Sequence, residues 1–266
     1  MSELETTTYP WALFNLEQSV YGVSSQYIQS IFIIENLIRM PGMSDYMKGA
    51  VNLRGRIVPI IDTRKFYGLP TVEEEIAKLK MLMKTRKEDH INWLNELENS
   101  VLDKREFKLT TDPHACAFGK WYDHFETNDL TLNHLLKKFD APHKQIHAVG
   151  VEVRNLVDKG EYDKASETIN KAKNRELKKM INLFNSLCRE YSDTKREVVI
   201  VLEDSTGSKE IGLTVDEVFA IEPIEEDRET TLDSVTHQSH ESLFLGKRSK
   251  DGSPVFILDE QYFLNL

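Results

Sequence analysis

The chain contains only two cysteines among its 266 residues, Cys116 and Cys188. With so few thiols we expect no disulfide framework, and a reducing cytoplasm is the default location. The sequence also lacks a run of the roughly 18 apolar residues that a membrane-spanning helix needs. Its first residues show neither the basic start nor the apolar core of a secretory signal. We therefore expect a cytoplasmic protein with no segment inserted in a membrane.

The chain also lacks a net positive charge, since 34 Lys and Arg residues face 44 Asp and Glu residues and the formal net charge is −10. Without a basic stripe interleaved with aromatic residues, nucleic acid is not an expected partner. The strand-rich parts of the sequence also lack a glycine-rich phosphate loop, a nucleophile elbow and paired carboxylates at helical spacing. These absences favour a protein that works by binding rather than by catalysis.

The pattern of apolar residues changes twice along the chain, from strand-like to helix-like and back. Residues 1–70 and 194–266 contain short β-branched runs bounded by glycine or proline, which predict strands. Residues 71–193 begin with the capping-box pattern Thr71-Val-Glu-Glu74 and continue with apolar residues at helical spacing. We expect a multi-domain α+β chain in which a helical domain is inserted into a split β domain. One mixed α+β domain is the alternative.

The start and end residues of two helices in the middle segment can be identified from the sequence. One begins near Pro142 and ends at Asp158, before Lys159-Gly160, and a charged amphipathic helix follows from about Tyr162 to Tyr191. An earlier helix is predicted from about residue 72 to 103. At 1.5 Å per residue it would be about 48 Å long. A helix of this length has more apolar surface than three neighbouring helices in a small bundle can cover. We therefore expect a homodimer that pairs through the inserted helices.

Four residues of the middle segment form a candidate metal site. His143 and His147 are four residues apart on one predicted helix, so their side chains project from the same face. The stretch reads His-Lys-Gln-Ile-His and lacks the glutamate of the hydrolytic His-Glu-x-x-His pattern. With His90 and Cys116 they make three imidazoles and one thiolate, a set that suits tetrahedral Zn²⁺.

Taken singly, each of these residues has a plainer interpretation. A pair of histidines on a helix is more often ordinary surface, and a lone cysteine is usually a small core residue. Other histidines of the same segment, His114, His124 and His134, are rival ligands. Cys188 is expected to be buried and inert.

The combination of these residues resembles the chemoreceptor zinc-binding (CZB) domain over about residues 75–190. That family's pattern is a helical histidine, then Cys-x-x-Gly-x-Trp, then His-x₃-His. It is matched here by His90, by Cys116-Ala-Phe-Gly-Lys-Trp121 and by the pair His143 and His147. The resemblance implies a four-helix bundle that commonly pairs with itself and holds Zn²⁺ with these four residues.

The flanking parts resemble the CheW family of chemotaxis coupling proteins. Three segments carry this resemblance: GAVNLRGRIVPIID at 49–62, GLTVDEV at 212–218 and FLGKRSKDGSPVFILD at 244–259. The resemblance implies a double five-stranded β-barrel without catalytic residues. It also implies partners, namely the cytoplasmic tips of chemoreceptors and the histidine kinase CheA.

Arg54 and Gly55 lie between two apolar runs and are predicted to form a tight turn. An exposed arginine there could make a fork-shaped contact with a partner's carboxylate or backbone. From the residues alone, a surface arginine without a role is the simpler interpretation. The CheW-like resemblance instead implies that this position belongs to the receptor-contacting surface.

The sequence as a whole predicts a chemotaxis adaptor at chemoreceptor arrays in which the inserted bundle senses zinc or an oxidant. Two alternatives stay open. In one, the protein is a constitutive scaffold and zinc is only a structural staple. In the other, the metal has an open coordination position and the protein is a metallohydrolase.

Overall fold

The computed structural model describes residues 9–39, 41–127, 129–227 and 243–266. The chain divides into two compact units, one made of Met1–Thr71 with Arg196–Leu266 and the other of Val72–Lys195. The domain boundaries predicted from the sequence lie after residues 70 and 193. Each unit is described below by itself, first the β unit and then the helical unit.

The β unit is built from short strands with three small helical segments. The strands are β1 (Trp11–Leu16), β2 (Ser19–Ser24), β3 (Ile28–Ile33), β4 (Met47–Leu53), β5 (Arg56–Ile61), β6 (Val198–Glu203), β7 (Glu210–Val215), β8 (Glu217–Glu222), β9 (Ile224–Asp227), β10 (Leu243–Arg248) and β11 (Pro254–Leu258). The helical segments are a 3₁₀ turn (Ser25–Tyr27), α1 (Thr63–Phe66) and α8 (Glu260–Leu264).

These strands form two sheets, each of which mixes strands from the two ends of the chain. One sheet has the order β8-β1-β2-β11-β10-β9, and the other has the order β3-β6-β7-β5-β4. Neighbouring strands are antiparallel except for the parallel pairs β2–β11 and β5–β7. Because both parallel pairs join an early strand to a late one, the two ends of the sequence fold as one unit. This architecture confirms the predicted α+β class.

Both sheets curl towards closure. In the five-stranded sheet, Ile38 follows β3 and exchanges two backbone hydrogen bonds of 2.8 Å with Ala50 of the opposite edge strand, β4. The other sheet has six strands where the expected barrel had five. Its two edge strands, β8 and β9, are consecutive in the chain and separated only by Pro223. A proline interrupts strand pairing, and this short connection brings the two edges of the sheet together.

A partly buried ion pair joins the end of the first β segment to the strands that follow the insertion. Arg64 of α1 donates from Nε and Nη2 to the two carboxylate oxygens of Asp216, at 2.7 and 2.6 Å. Its Nη1 donates to the carbonyl of Pro70 at 3.0 Å. The pairing is bidentate, which is the strongest geometry for arginine and a carboxylate.

The described part of the helical unit contains six α-helices. They are α2 (Val72–Leu102), α3 (Ala117–Tyr122), α4 (Leu130–Lys137), α5 (Asp140–Asp158), α6 (Tyr162–Ala172) and α7 (Lys178–Thr194). A π-helical turn, Lys173–Leu177, joins α6 to α7. The long helical elements are therefore α2, α5 and the continuous stretch made by α6 and α7, and the four-helix arrangement stays a prediction.

The core of the helical unit follows the apolar faces of these helices. Leu94 and Leu97 of α2, Ile146 of α5, Ile169 of α6 and Phe184 of α7 are almost wholly buried in one cluster. Apolar residues three and four positions apart produce such a face on each helix. Within the described residues, no helix has both the length and the apolar character needed to cross a bilayer.

Candidate metal centre

The structure brings the four predicted ligands together in the helical unit. His90 lies on α2, Cys116 directly precedes α3, and His143 and His147 lie on α5. One donor atom from each of the four residues can be chosen so that all four atoms lie within 4.8 Å of one another. The three histidines are buried and Cys116 is half-buried. The cluster thus joins residues up to 57 positions apart in the sequence.

Helical geometry explains why the two histidines of α5 converge. His143 and His147 are one helical turn apart, on the face of α5 that also buries Ile146. Their ring centroids are 4.9 Å apart, and the His90 ring of α2 lies 5.2 Å from His143 and 5.8 Å from His147. The three imidazoles therefore surround one small volume.

The three imidazoles are held in the neutral form that binds metals. Burial lowers the pKa of His90, lowers that of His143 to about 3 and lowers that of His147 to about 4. Positive charge on the neighbouring imidazoles acts in the same direction on His143 and His147. Nδ1 of His90 lies 2.7 Å from the carbonyl of Arg86, to which it donates its proton. This leaves the lone pair on Nε2 of His90, as in many metal-bound histidines.

Buried nitrogens without partners indicate that something further belongs in this volume. Among the described residues, Nε2 of His90 and both ring nitrogens of His147 have no hydrogen-bond partner. A buried polar atom left unpaired typically costs about 1–3 kcal/mol, so three in one cluster are unusual. A cation would satisfy the lone pairs that face the centre. Three imidazoles and a thiolate are a complete donor set for tetrahedral Zn²⁺, and the residues present fit that ion.

Cys116 is positioned by the first turn of α3. Its Sγ accepts a hydrogen bond from the backbone N–H of Gly119 at 3.1 Å and lies 3.2 Å from Nε2 of His143. Burial raises the pKa of the thiol, whereas the N–H groups of Phe118 and Gly119 act in the opposite direction. These N–H groups at a helix start would stabilise the thiolate once a metal binds.

Gly119 is required by a close backbone approach. A Cβ added at this position would lie 1.8 Å from the carbonyl oxygen of Pro113 and 3.0 Å from Cα of His114. The loop before Cys116 therefore folds directly over the first turn of α3. Only glycine allows this contact, which fixes the sulfur relative to α5.

The rival histidines of the helical unit lie outside the group. Nδ1 of His114 pairs with Asp123 at 2.8 Å, and Nδ1 of His124 lies 2.9 Å from the carbonyl of Lys120. His134 is exposed on α4. Within the described residues, the cluster of donor atoms includes none of these three histidines.

Cys188 is also outside the cluster. It is partly buried on α7, and burial raises the pKa of its thiol. His237 and His240, which were expected to play no part in metal binding, lie outside the described residues.

Two aromatic residues around the centre were not assigned a role from the sequence. The ring of Trp93 lies 4.9 Å from that of His147, and the ring of Phe118 lies 4.8 Å from that of His143. Trp93 is three residues after His90, so helical spacing alone could have placed it on the same face. Phe118 is nearly fully buried beside the centre.

The second predicted site, Arg54 and Gly55, lies in the β unit. The two residues form the tight turn between β4 and β5, and both have positive φ, 54° and 88°. Two central residues with positive φ are typical of the hairpin turns that match strand twist. Asn52 Oδ1 accepts from the N–H of Gly55 at 2.8 Å and stabilises the turn. Arg54 is exposed.

Comparison with known families finds a match to each of the two families that the sequence resembles. The profile of the CheW-like domain matches residues 10–90, and that of the chemoreceptor zinc-binding domain matches residues 90–154. The chain carries a CheW-like domain and a CZB domain. The CZB match includes the positions of all four candidate ligands, and the prediction of both families is confirmed.

Individual relatives are chemotaxis proteins of the CheW type. The chain is 28% identical over 104 residues to the chemotaxis protein CheW of Bacillus subtilis, which covers 39% of this chain and 65% of that protein. It is 38% identical over 60 residues to the chemotaxis protein CheW of Klebsiella aerogenes, covering 23% of this chain and 36% of that protein. The chain thus spans less than two thirds of the length of either relative.

Among solved structures, the chain matches the scaffolding protein TtCheW from Thermoanaerobacter tengcongensis. The superposition has a TM-score of 0.41 at 12% identity and covers 95% of this chain and 90% of that chain. Of the three sequence segments that suggested CheW, only residues 49–62 fall within the matched range 10–90. The assignment of 212–218 and 244–259 stays a prediction.

Proposed function

We propose that this protein is a chemotaxis adaptor that couples chemoreceptor tips to the CheA kinase and carries its own metal-dependent sensor. The CheW-like match and the two named relatives support the coupling role. The observation that carries the sensor is the buried group of His90, Cys116, His143 and His147 inside the CZB match. The whole would act at the cytoplasmic face of receptor arrays.

In this proposal the four residues hold one Zn²⁺ ion per chain. Bound zinc would supply a positive centre that keeps Cys116 as a thiolate and satisfies the unpaired imidazole nitrogens. Four protein donors fill a tetrahedral site, so no open position is left for a substrate. This argues for sensing and against the metallohydrolase alternative.

The thiolate ligand provides a chemical route for an oxidant signal. A peroxide would oxidise the Cys116 thiolate to a sulfenate, transferring one oxygen atom to sulfur and leaving water or an alcohol. The sulfur is half-buried and therefore accessible in part. Loss of this donor would weaken the site, and metal affinity contributes directly to the stability of a small metal-binding fold.

The signal could leave the helical unit through the helices at its two ends. The chain enters the unit along α2 and leaves it along α7, and the two helices pack against each other, with Lys87 donating to Asn185 at 3.1 Å. The His90 ring on α2 lies 5.8 Å from the Phe184 ring on α7. A change in the position of His90 on metal loss would therefore act on the packing of these two helices.

The β unit would bind the partners in this proposal. In this proposal residues 1–70 and 194–266 together form the CheW-like domain, and the sharing of both sheets by strands from the two segments supports this assignment. Arg54 would contact the receptor from the exposed turn between β4 and β5. Gly55 would allow the turn to adopt its conformation. The rigid hairpin would hold the arginine in place and lower the entropy lost on binding.

A second copy of the chain is proposed as a further partner of the helical unit. The 31 residues of α2 span about 46 Å at 1.5 Å per residue. In its first half, Ile76, Leu79 and Leu82 are only partly covered, and Met81 is 75% exposed. Pairing of two such faces would bury this apolar surface.

A reconstituted array of receptor, CheA and this adaptor tests the proposal. Kinase activity should change when zinc is removed by a chelator or when peroxide is added, and Cys116→Ala should abolish the response to peroxide. Cys188→Ala serves as the matched control and should respond like the natural chain. Unchanged kinase activity in every condition would favour the constitutive scaffold, in which zinc is only a staple.

A further inference from the structure

His147 differs from the other candidate ligands in how its ring is oriented. A metal-bound histidine usually donates its second ring N–H to a carbonyl or a carboxylate, which fixes the ring. His90 does so through Arg86, but within the described residues neither nitrogen of His147 has a hydrogen-bond partner. The His147 side chain is also almost fully buried, at 1% exposure. Some other contact must therefore hold this ring in position.

That contact is the indole of Trp93. Its ring lies 4.9 Å from the His147 ring at an interplanar angle of 55°, and Trp93 is itself buried. Phe107 also packs against the indole, with its ring 5.5 Å away in an edge-on arrangement. A buried ring that packs against two other rings has little freedom to turn.

The same indole also fastens the loop that carries Cys116. Nε1 of Trp93 donates to the carbonyl of Thr110 at 2.8 Å. Thr110 lies in the irregular segment between α2 and α3, six residues before Cys116. Cys116 is the only candidate ligand outside a helix, so its position depends on how this segment is held.

Gly150 shows how closely the indole is enclosed. A Cβ on Gly150 would lie 2.9 Å from two ring carbons of Trp93 and 2.8 Å from Cγ2 of Thr111. Gly150 is on α5, three residues after His147, so the helix that carries two ligands touches the indole directly. The ring thus contacts α5, the loop and its own helix α2.

We propose that Trp93 is a positioning residue of the metal centre, which orients His147 by ring packing and Cys116 through the hydrogen bond to Thr110. This inference rests on the proposed zinc site. Trp93 takes the place that a hydrogen-bonding partner has for other metal-bound histidines. Loss of such partners typically lowers metal affinity by 10- to 100-fold.

The test uses the full-length protein loaded with Zn²⁺ or with Co²⁺ as a spectroscopic substitute. Trp93→Phe keeps an aromatic ring but removes the hydrogen bond to Thr110. We expect zinc affinity to fall by about 10-fold in a chelator competition. We also expect the visible ligand-field bands of Co²⁺ to shift, because the donor geometry changes. Trp121→Phe is the matched control, since the Trp121 ring packs on Phe125 at 4.8 Å and on Phe118 at 5.8 Å, whereas the Trp93 ring packs directly on the ligand His147.

A second variant approaches the same indole from α5. Gly150→Ala should favour the helix, because alanine has a higher helix propensity than glycine, yet it should weaken zinc binding because the new methyl group displaces Trp93. Weaker zinc binding with unchanged helical content supports the proposal, even if Trp93→Phe fails to fold. Natural affinity and Co²⁺ bands in Gly150→Ala and in any folded Trp93→Phe would overturn it. If the natural chain itself binds neither metal, the proposed zinc site fails instead.

Discussion

Gly119→Ala is the substitution for which the structure gives the sharpest expectation. The added Cβ would lie 1.8 Å from the carbonyl oxygen of Pro113, where real Cβ contacts are not closer than 3.0 Å. The loop or the first turn of α3 must therefore move by about 1.2 Å, the difference between these two distances. Both colliding groups are backbone, so no side chain can rotate to relieve the contact.

This movement has two measurable consequences. Overpacking of a well-packed site costs about 1–3 kcal/mol, and a collision between backbone atoms belongs at the upper end. A loss of about 3 kcal/mol should lower the melting temperature of the helical unit by about 10 °C. The hydrogen bond from Gly119 to Sγ of Cys116 would also be broken, and zinc affinity should fall by at least about 10-fold.

Differential scanning calorimetry and a chelator competition measure these two effects on the full chain. Lys120→Ala is the matched control, because Lys120 is the next residue of α3 and is exposed. Helix propensity alone would make Gly119→Ala stabilising, so the sign of the change is decisive. A variant as stable as the natural chain, with natural zinc affinity, would refute the reasoning.

Three further predictions concern other parts of the chain. Arg64→Ala leaves the partly exposed carboxylate of Asp216 without its bidentate partner and should destabilise the β unit by about 2 kcal/mol in urea unfolding; Arg64→Lys should recover only part of this, and a change below about 0.5 kcal/mol would contradict the argument. Arg54→Glu should weaken receptor pull-down without changing zinc content; normal receptor binding would remove this residue from the proposed interface. Sedimentation should show a dimer that Met81→Glu weakens and that deletion of 71–193 abolishes; a strict monomer at micromolar concentration would exclude the dimer.

The sequence was most informative where chemistry and local spacing coincide. The four-residue spacing of His143 and His147 fixes their common face on any helix, and the structure places both in the cluster. The turn at Arg54 and Gly55 could also be predicted from the sequence, because two apolar runs flank a glycine. These features depend only on residues close together in the chain.

The features that sequence reasoning missed depend on approach between distant segments. Nothing in the pattern around Gly119 indicates that the Pro113 carbonyl folds back onto it, and the pairing of Trp93 with Thr110 joins a helix to an irregular loop. The π-helical turn at Lys173–Leu177 contains neither proline nor glycine and gave no signal. Tertiary packing decides such contacts, which local propensity does not report.

The six-stranded sheet is a further instance of this limit. Residues 210–224 looked like one continuous strand region, but the chain turns at Asp216 and again at Pro223. The second turn places β8 and β9 on opposite edges of the same sheet. Which edge a strand joins is set by the curl of the whole sheet.

The zinc content of the purified protein tests the central claim most directly. Protein prepared without added chelator and measured by elemental analysis should carry about one zinc per chain, as one set of four donors requires. The double variant Cys116→Ala, His143→Ala should lose this zinc, whereas the control Cys188→Ala, His114→Ala should keep it. Full retention of zinc by the first double variant, or its absence from the natural chain, would contradict the account.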